Sequence, residues 1–367
     1  MFAHKLLGLI ALGALLLSGC SDDAAETATI TDDASAAPMR RTAITFTCEQ
    51  QDTRSAYGHE GTMDSTALYE TGFGVFASEA KGISPNVMYN QEVVFTLVGD
   101  MENPQKGFWS YSPLKYWPNS EVGIANFDIC AYAPYVEQPP ADDGLRTGII
   151  GMSDNAATTP YIEYRRANRA SEVVDLLWWC YAPPTKRIET LNIAMKHSLA
   201  RVKLQLKAES VPAGTKLLVK RITLTSKGMA KSGQLVLNRQ TVIKDTILPV
   251  WQNQKLAAAE IVIDKDATST EYYGVVDQQL RYRDGLPYNW QPEGVTTTAA
   301  NALTTIDRPA YLYLIPQEQL KLYCKVDLVK KTPDTETPVS KAVTDSMVIA
   351  PLKGNTPYTL NINLQDL

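Results

Sequence analysis

Apolar residues recur in this chain at every second position, in short runs, and the breaks between runs are rich in Pro, Gly, Asn and Asp. Near the start Ile44, Phe46 and Cys48 share one face of an extended segment, with threonines on the other; at the end Tyr358, Leu360, Ile362 and Leu364 do the same. Successive side chains of a strand point to opposite faces, so a period of two marks a strand with one buried face. Residues 72–77, 92–98, 126–132 and 161–164 are further short runs of β-branched and aromatic residues between turn-forming clusters. Clear helical periodicity is missing throughout. Residues 172–180 fit either a helix or a buried strand, and their bulky side chains favour the strand. The fold class expected is therefore all-β.

Pro183 and Pro184 stop regular structure, which makes residues 183–188 a candidate junction. Beyond it the pattern resumes at 198–208, 217–224, 234–237, 260–263, 310–315, 321–329 and 358–364. With 367 residues, 44% of them hydrophobic, the chain is long enough for two packed cores. Strand-turn spacing in both halves predicts two tandem β-sandwich domains, 42–188 and 189–367. Residues 264–307, rich in Thr, Gly, Pro and Asn, read as a long surface excursion of the second, of the kind that binds something or moves. Burying the four apolar residues of the last strand would contribute roughly 6–12 kcal/mol before ordering costs, enough to hold a sheet together. The plain reading is that this strand closes its own domain.

The first 55 residues carry three signals in series. His4 and Lys5 precede an uncharged apolar run, 6–17, too short to span a bilayer, and Leu17-Ser18-Gly19-Cys20 follows at once. Residues 1–19 thus read as a lipoprotein signal peptide, with the thiol of Cys20 as the group that takes the lipid. Residues 20–41 hold almost no large apolar side chain and read as a flexible tether, because they cannot bury enough surface to offset their ordering entropy. After the strand at 42–48, a polar stretch leads to Arg54 and Ser55 and then to a Gly-bounded exposed loop at 57–61, and polar loop tips are where proteases cut. The alternative reading of Arg54 is an ordinary solvated charge. A cut there would take away the first strand and leave a sheet with an open edge.

Other functions lack their residues. A net charge of −5 gives no footprint for nucleic acid, and beyond the leader no segment is long and apolar enough to cross a membrane. Cys48, Cys130, Cys180 and Cys324 form no CxxC pair; in an exported protein they make one or two disulfides, with three pairings open, or stay as buried thiols. With only three histidines and no HExxH, GxSxG, GxGxxG or GxxxxGK[ST], no catalytic residue, metal site or cofactor is expected. His197 reads as a hydrogen-bonded structural residue. Trp109, Trp117 and Trp290 lie in Pro- and Asn-rich stretches where a sugar-binding platform is conceivable and packing is the plainer role.

Gly72-Phe73-Gly74-Val75-Phe76-Ala77, Met88-Tyr89-Asn90, Tyr116-Trp117-Pro118-Asn119, Ala131-Tyr132-Ala133-Pro134-Tyr135, Val174-Asp175-Leu176-Leu177 and His197-Ser198-Leu199-Ala200-Arg201-Val202 stand in an order that resembles the fimbrillin-like family of Bacteroidetes, the subunits of type V pili. The acidic Ser21-Asp22-Asp23 likewise resembles the signal that sends lipoproteins to the surface of these cells. The resemblance implies two transthyretin-like, Greek-key β-sandwiches and delivery to the outer membrane through lipid on Cys20. It also implies removal of the first strand by an Arg-specific protease and polymerisation when a strand of another subunit fills the groove. Cleavage after Arg41 would leave residues 42–48 attached, whereas cleavage between Arg54 and Ser55 removes them. Tyr358, Leu360, Ile362 and Leu364 are the candidate donor strand. Stalk, tip and uncleaved anchor subunits all remain open, and the alternative outside the family is a surface glycan-binding lipoprotein.

Overall fold

The alternating runs form strands, and strands account for nearly all of the regular structure. A computed structural model describes residues 42–50, 63, 65–98, 107–181, 190–208, 211, 214–243, 246–264, 274–276, 290–292 and 311–364. The signal peptide and tether lie outside them.

The first half contains strands β1 (Thr45–Gln50), β2 (Phe73–Ser78), β3 (Met88–Leu97), β4 (Gly107–Ser110), β5 (Asp128–Ala133), β6 (Gly148–Met152), β7 (Tyr161–Arg165), β8 (Leu177–Cys180) and β9 (Thr190–His197). Seven of these form one sheet in the order β1-β9-β8-β5-β2-β3-β4. The ambiguous stretch 172–180 resolves into a short 3-10 turn, Ala170–Glu172, and then β8. The boundary expected at 188/189 falls between β8 and β9, which pair with each other, Leu177 opposite His197 and Trp178 opposite Lys196. Pro183, Pro184 and the rest of the candidate junction at 183–188 lie outside the described residues.

The remaining strands are β10 (Ala200–Ala208), β11 (Lys216–Ile243), β12 (Thr246–Ile263), β13 (Gly274–Val276), β14 (Trp290–Pro292), β15 (Tyr311–Leu314), β16 (Leu320–Lys331), β17 (Glu336–Ile349) and β18 (Pro357–Leu364). β10 lies between β15 and β18 in a three-stranded sheet. The 28-residue β11 runs through both parts of the molecule. Its first half pairs with β16, from Lys216 opposite Lys331 to Thr225 opposite Tyr323; its second half pairs with β7, Ser232 opposite Arg165 to Val236 opposite Tyr161. Register shifts in its pairing with β12, between Ser226 and Met229 and again near Ser232, let it turn from one partner to the other. Of the long excursion at 264–307, the described parts are Asp264, β13 and β14, and these two strands extend the β11 sheet.

Three apolar clusters fill the spaces. Phe73, Val75, Ile129 and Ala131 of the seven-stranded sheet face one cluster together with Ile44, Phe46 and Cys48. Phe76, Cys130, Tyr132 and Trp178 face the opposite side of that sheet, where they meet Ile162, Tyr164, Leu235 and Leu237 from β7 and β11. The third cluster joins β10 and β18 to the first half of β11 and to β16.

Two short helices, α1 (Ser65–Thr71) and α2 (Glu121–Asn126), were not visible as periodicity because neither has more than about two turns. Gly72 ends α1 at φ +65°, its N–H donating to the Leu68 carbonyl at 2.9 Å, and a Cβ there would meet the Val93 carbonyl oxygen at 2.5 Å. The Ser120 hydroxyl caps α2 by accepting from the Gly123 N–H at 3.0 Å.

Candidate functional site

β1 is an edge strand with its apolar side inward. Ile44, Phe46 and Cys48 are buried, at 0%, 4% and 7% exposure, while Thr45 and Thr47 face solvent, the arrangement expected from alternation. Phe46 is held between two rings, its centroid 5.9 Å from Phe73 and 5.5 Å from Tyr111. Along one side β1 runs parallel to β9, Thr45 opposite Thr190 through Gln50 opposite Met195. The hydroxyls of Thr45 and Thr190 are 2.9 Å apart.

Among the described residues, the other side of β1 is tied down at its beginning. Ala43 bridges antiparallel to Tyr116; the Ile44 N–H donates to the Lys115 carbonyl at 2.9 Å, and the Trp117 N–H donates to the Thr42 carbonyl at 3.0 Å. The Tyr111 hydroxyl donates to the Ile44 carbonyl at 2.7 Å, and burial holds its phenol above the ordinary tyrosine value. Tyr111 and residues 115–117 form the second wall of this site, which the sequence pattern does not mark. Their only sequence signal was the aromatic, Pro-containing stretch at 116–119.

The chain beyond β1 is anchored at Met63, whose N–H donates to Asp175 Oδ2 at 3.3 Å. The same carboxylate oxygen lies 2.8 Å from His197 Nδ1, and both side chains are buried. His197 thus has the structural, hydrogen-bonded setting anticipated for it. Cys20, Arg41, Arg54 and Ser55 lie outside the described residues, so the lipidation and cleavage readings meet no structural observation.

The candidate donor residues lie in β18, which is paired within this same chain. It runs parallel to β10 over eight registered positions, Arg201 opposite Pro357 to Ala208 opposite Leu364. Leu360, Ile362 and Leu364 are buried in the third cluster; Tyr358 is half-buried, its hydroxyl donating to the Pro351 carbonyl at 3.0 Å. Trp109 and Trp117 are core residues at 9% and 3% exposure, so neither offers an open platform for a sugar; Trp290 falls in β14. Among the described residues no group of three or more His, Cys, Asp or Glu side chains could hold a metal ion, and no helix is long and apolar enough to cross a membrane.

Fold and site together define an all-β protein whose first strand lies along a sheet edge and fills an apolar groove. The chain matches the fimbrillin-like family over residues 53–367 and belongs to it. It is similar to the fimbrium subunit Fim1C of Phocaeicola vulgatus, with 23% identity over 341 residues covering 83% of this chain and 80% of that one. A crystal structure from Bacteroides ovatus with a provisional assignment to cell adhesion covers 89% of this chain and 92% of its own, at 12% identity and a TM-score of 0.40. Another from Bacteroides uniformis, with the same provisional assignment, covers 82% and 98%, at 15% identity and a TM-score of 0.34.

Proposed function

We propose that this protein is a structural subunit of a cell-surface fimbria, exported as a lipoprotein on Cys20 and made ready for assembly by proteolysis after Arg54. The carrying observation is the position of β1, an edge strand that with the preceding Ile44 inserts three apolar side chains into a groove bounded by β9 and residues 115–117. Removing it uncovers that groove and a row of unpaired backbone groups on β9. An incoming strand then gains both ladder hydrogen bonds and side-chain burial. Ile44 and Phe46 alone account for about 3–6 kcal/mol of burial, taking about 1.5–3 kcal/mol for each large apolar side chain. The groove of a processed subunit is therefore a strong binding site for a strand of matching pattern.

Two further facts favour this reading. The family match begins at residue 53, next to Arg54 and after β1. The relative of similar length is described as a fimbrium subunit. The protein acts at the outer membrane and in the extracellular fibre, with other pilus subunits and an Arg-specific protease as partners, and contributes to adhesion rather than catalysis.

The test is Arg54→Ala expressed in the native cell. High-mass oligomers that resist detergent should be present for the wild type and absent for the variant. Equal oligomer yield from both would overturn the proposed processing.

A further inference from the structure

Cys130 on β5 and Cys180 on β8 are directly opposite one another in the middle of the seven-stranded sheet. Residues opposed across an antiparallel pair project from the same face. Both cysteines belong to the cluster beneath that face; the neighbours Ile129, Ala131 and Trp179 belong to the cluster on the other. The Tyr181 N–H donates to the Ile129 carbonyl at 3.0 Å. That bond joins the residue after Cys180 to the residue before Cys130. In an antiparallel ladder this pattern marks the cysteines as a pair that exchanges no backbone hydrogen bonds with itself, the closer of the two pair types, with Cα atoms about 4.5 Å apart. Disulfides span Cα separations of about 4.4–6.8 Å, so the pair can be bridged without moving a strand, at the short end of the range.

The other two cysteines are placed elsewhere. Cys48 lies in the cluster on the opposite side of the sheet, and Cys324 lies in the third cluster, opposite Leu224 and Val343. The register therefore selects one of the three pairings left open by the sequence. We propose that Cys130 and Cys180 are a redox-active dithiol that closes to a disulfide by exchange with an oxidised thiol compound or an exported thiol–disulfide oxidoreductase.

Cys180 is the attacking sulfur, because it is only half-buried whereas Cys130 is 2% exposed. Lys196, opposite Trp178 on β9, lies close enough to interact with it; burial lowers the lysine ammonium and the Cys180 sulfur opposes that shift. A neighbouring cation favours the thiolate. The Cys180 thiolate attacks one sulfur of the oxidant's disulfide, forms a mixed disulfide and expels a thiolate. Cys130 then gives up its proton to that leaving thiolate and attacks the Cys180 sulfur, expelling the second. Two protein thiols are oxidised and one external disulfide is reduced to two thiols. The product ties β5 to β8, two strands in from β1, and so braces the sheet whose edge strand is removed. Its tight Cα spacing makes it more easily reduced than a relaxed structural disulfide.

The inference rests on the fimbrial reading only in that export brings the protein to an oxidising compartment; the chemistry itself is testable on purified protein. The folded chain is incubated with oxidised glutathione, trapped with iodoacetamide and mapped with trypsin without reductant. The expected product joins peptide 116–146 to peptide 170–186, and Cys130→Ser should instead accumulate glutathione on Cys180. Cys180→Ser should abolish both products. Glutathione adducts without the joined peptides, a link involving Cys48 or Cys324, or no reaction would overturn the inference and leave the fimbrial reading, which rests on the position of β1 and is tested by the N-terminus, intact.

Discussion

Truncating Phe46 to alanine isolates the free energy with which β1 is held. The side chain is 4% exposed and lies between Phe73 and Tyr111, so its loss leaves a cavity between rings that other contacts hold in place. Phe→Ala in a core costs about 3–5 kcal/mol, and a sheet edge, where the strand can shift and water can enter, belongs at the lower end. About 3 kcal/mol corresponds to about a hundredfold rise in the population with β1 detached, since each 1.4 kcal/mol is tenfold. Urea unfolding of the unprocessed chain should show the loss, and amide exchange along β1 should accelerate by a similar factor. Thr47→Ala is the control, because Thr47 is exposed and its hydroxyl donates to the Leu191 carbonyl at a long 3.5 Å; its change should stay within about 0.5 kcal/mol. If β1 is removed before assembly, Phe46→Ala should leave assembled fibres as stable as the wild type. An unfolding change below about 1 kcal/mol, or fibres weakened as much as the unprocessed chain, would refute the reasoning.

Three other outcomes follow from the packing. Leu360→Ala and Ile362→Ala should each destabilise the isolated subunit by about 2–5 kcal/mol in urea unfolding, because both side chains are buried in the core that β18 shares with β10; unchanged midpoints would mean that β18 is dispensable to its own fold. Gly74→Ala places a Cβ 2.3 Å from Tyr132 Cε1 and 2.9 Å from Asn90 Oδ1, where the Tyr132 hydroxyl donates to Asn90 at 2.6 Å, so a loss of about 1–3 kcal/mol is expected and a neutral substitution would show that the ring can move. Burial pushes the Cys324 thiol up to about 12 from an ordinary 9; the folded state then keeps a proton that the unfolded state loses, and stability should fall as pH rises from about 9 towards 12. Cys324→Ser should flatten that part of the stability profile, and an unchanged profile would contradict the assignment.

The strands were legible where one face is buried and the other wet. Ile44, Phe46 and Cys48 alternate with exposed threonines, and Leu360, Ile362 and Leu364 alternate with exposed residues, so a period of two was enough to find β1 and β18. Partners were not legible. β1 pairs with a strand about 145 residues away, and Thr190 carries no local mark of the threonine it meets. The long β11 read as two separate strands, 217–224 and 234–237, because the irregularities between Ser226 and Gln234 interrupt the alternation without breaking the strand. Trp109 read as a loop residue because β4 has only four residues, too few to show a period, although its indole packs against Phe73 and Phe95. Which cysteines face each other became legible only with the register, which sets Cys130 opposite Cys180, while Cys48 and Cys324 lie in other clusters.

The most direct test is the N-terminus and intact mass of the chain recovered from the cell surface. A chain beginning at Ser55, without lipid and without β1, is the predicted result for an assembled subunit. A chain that retains lipidated Cys20 and residues 42–48 within the fibre would contradict strand removal as the route to assembly.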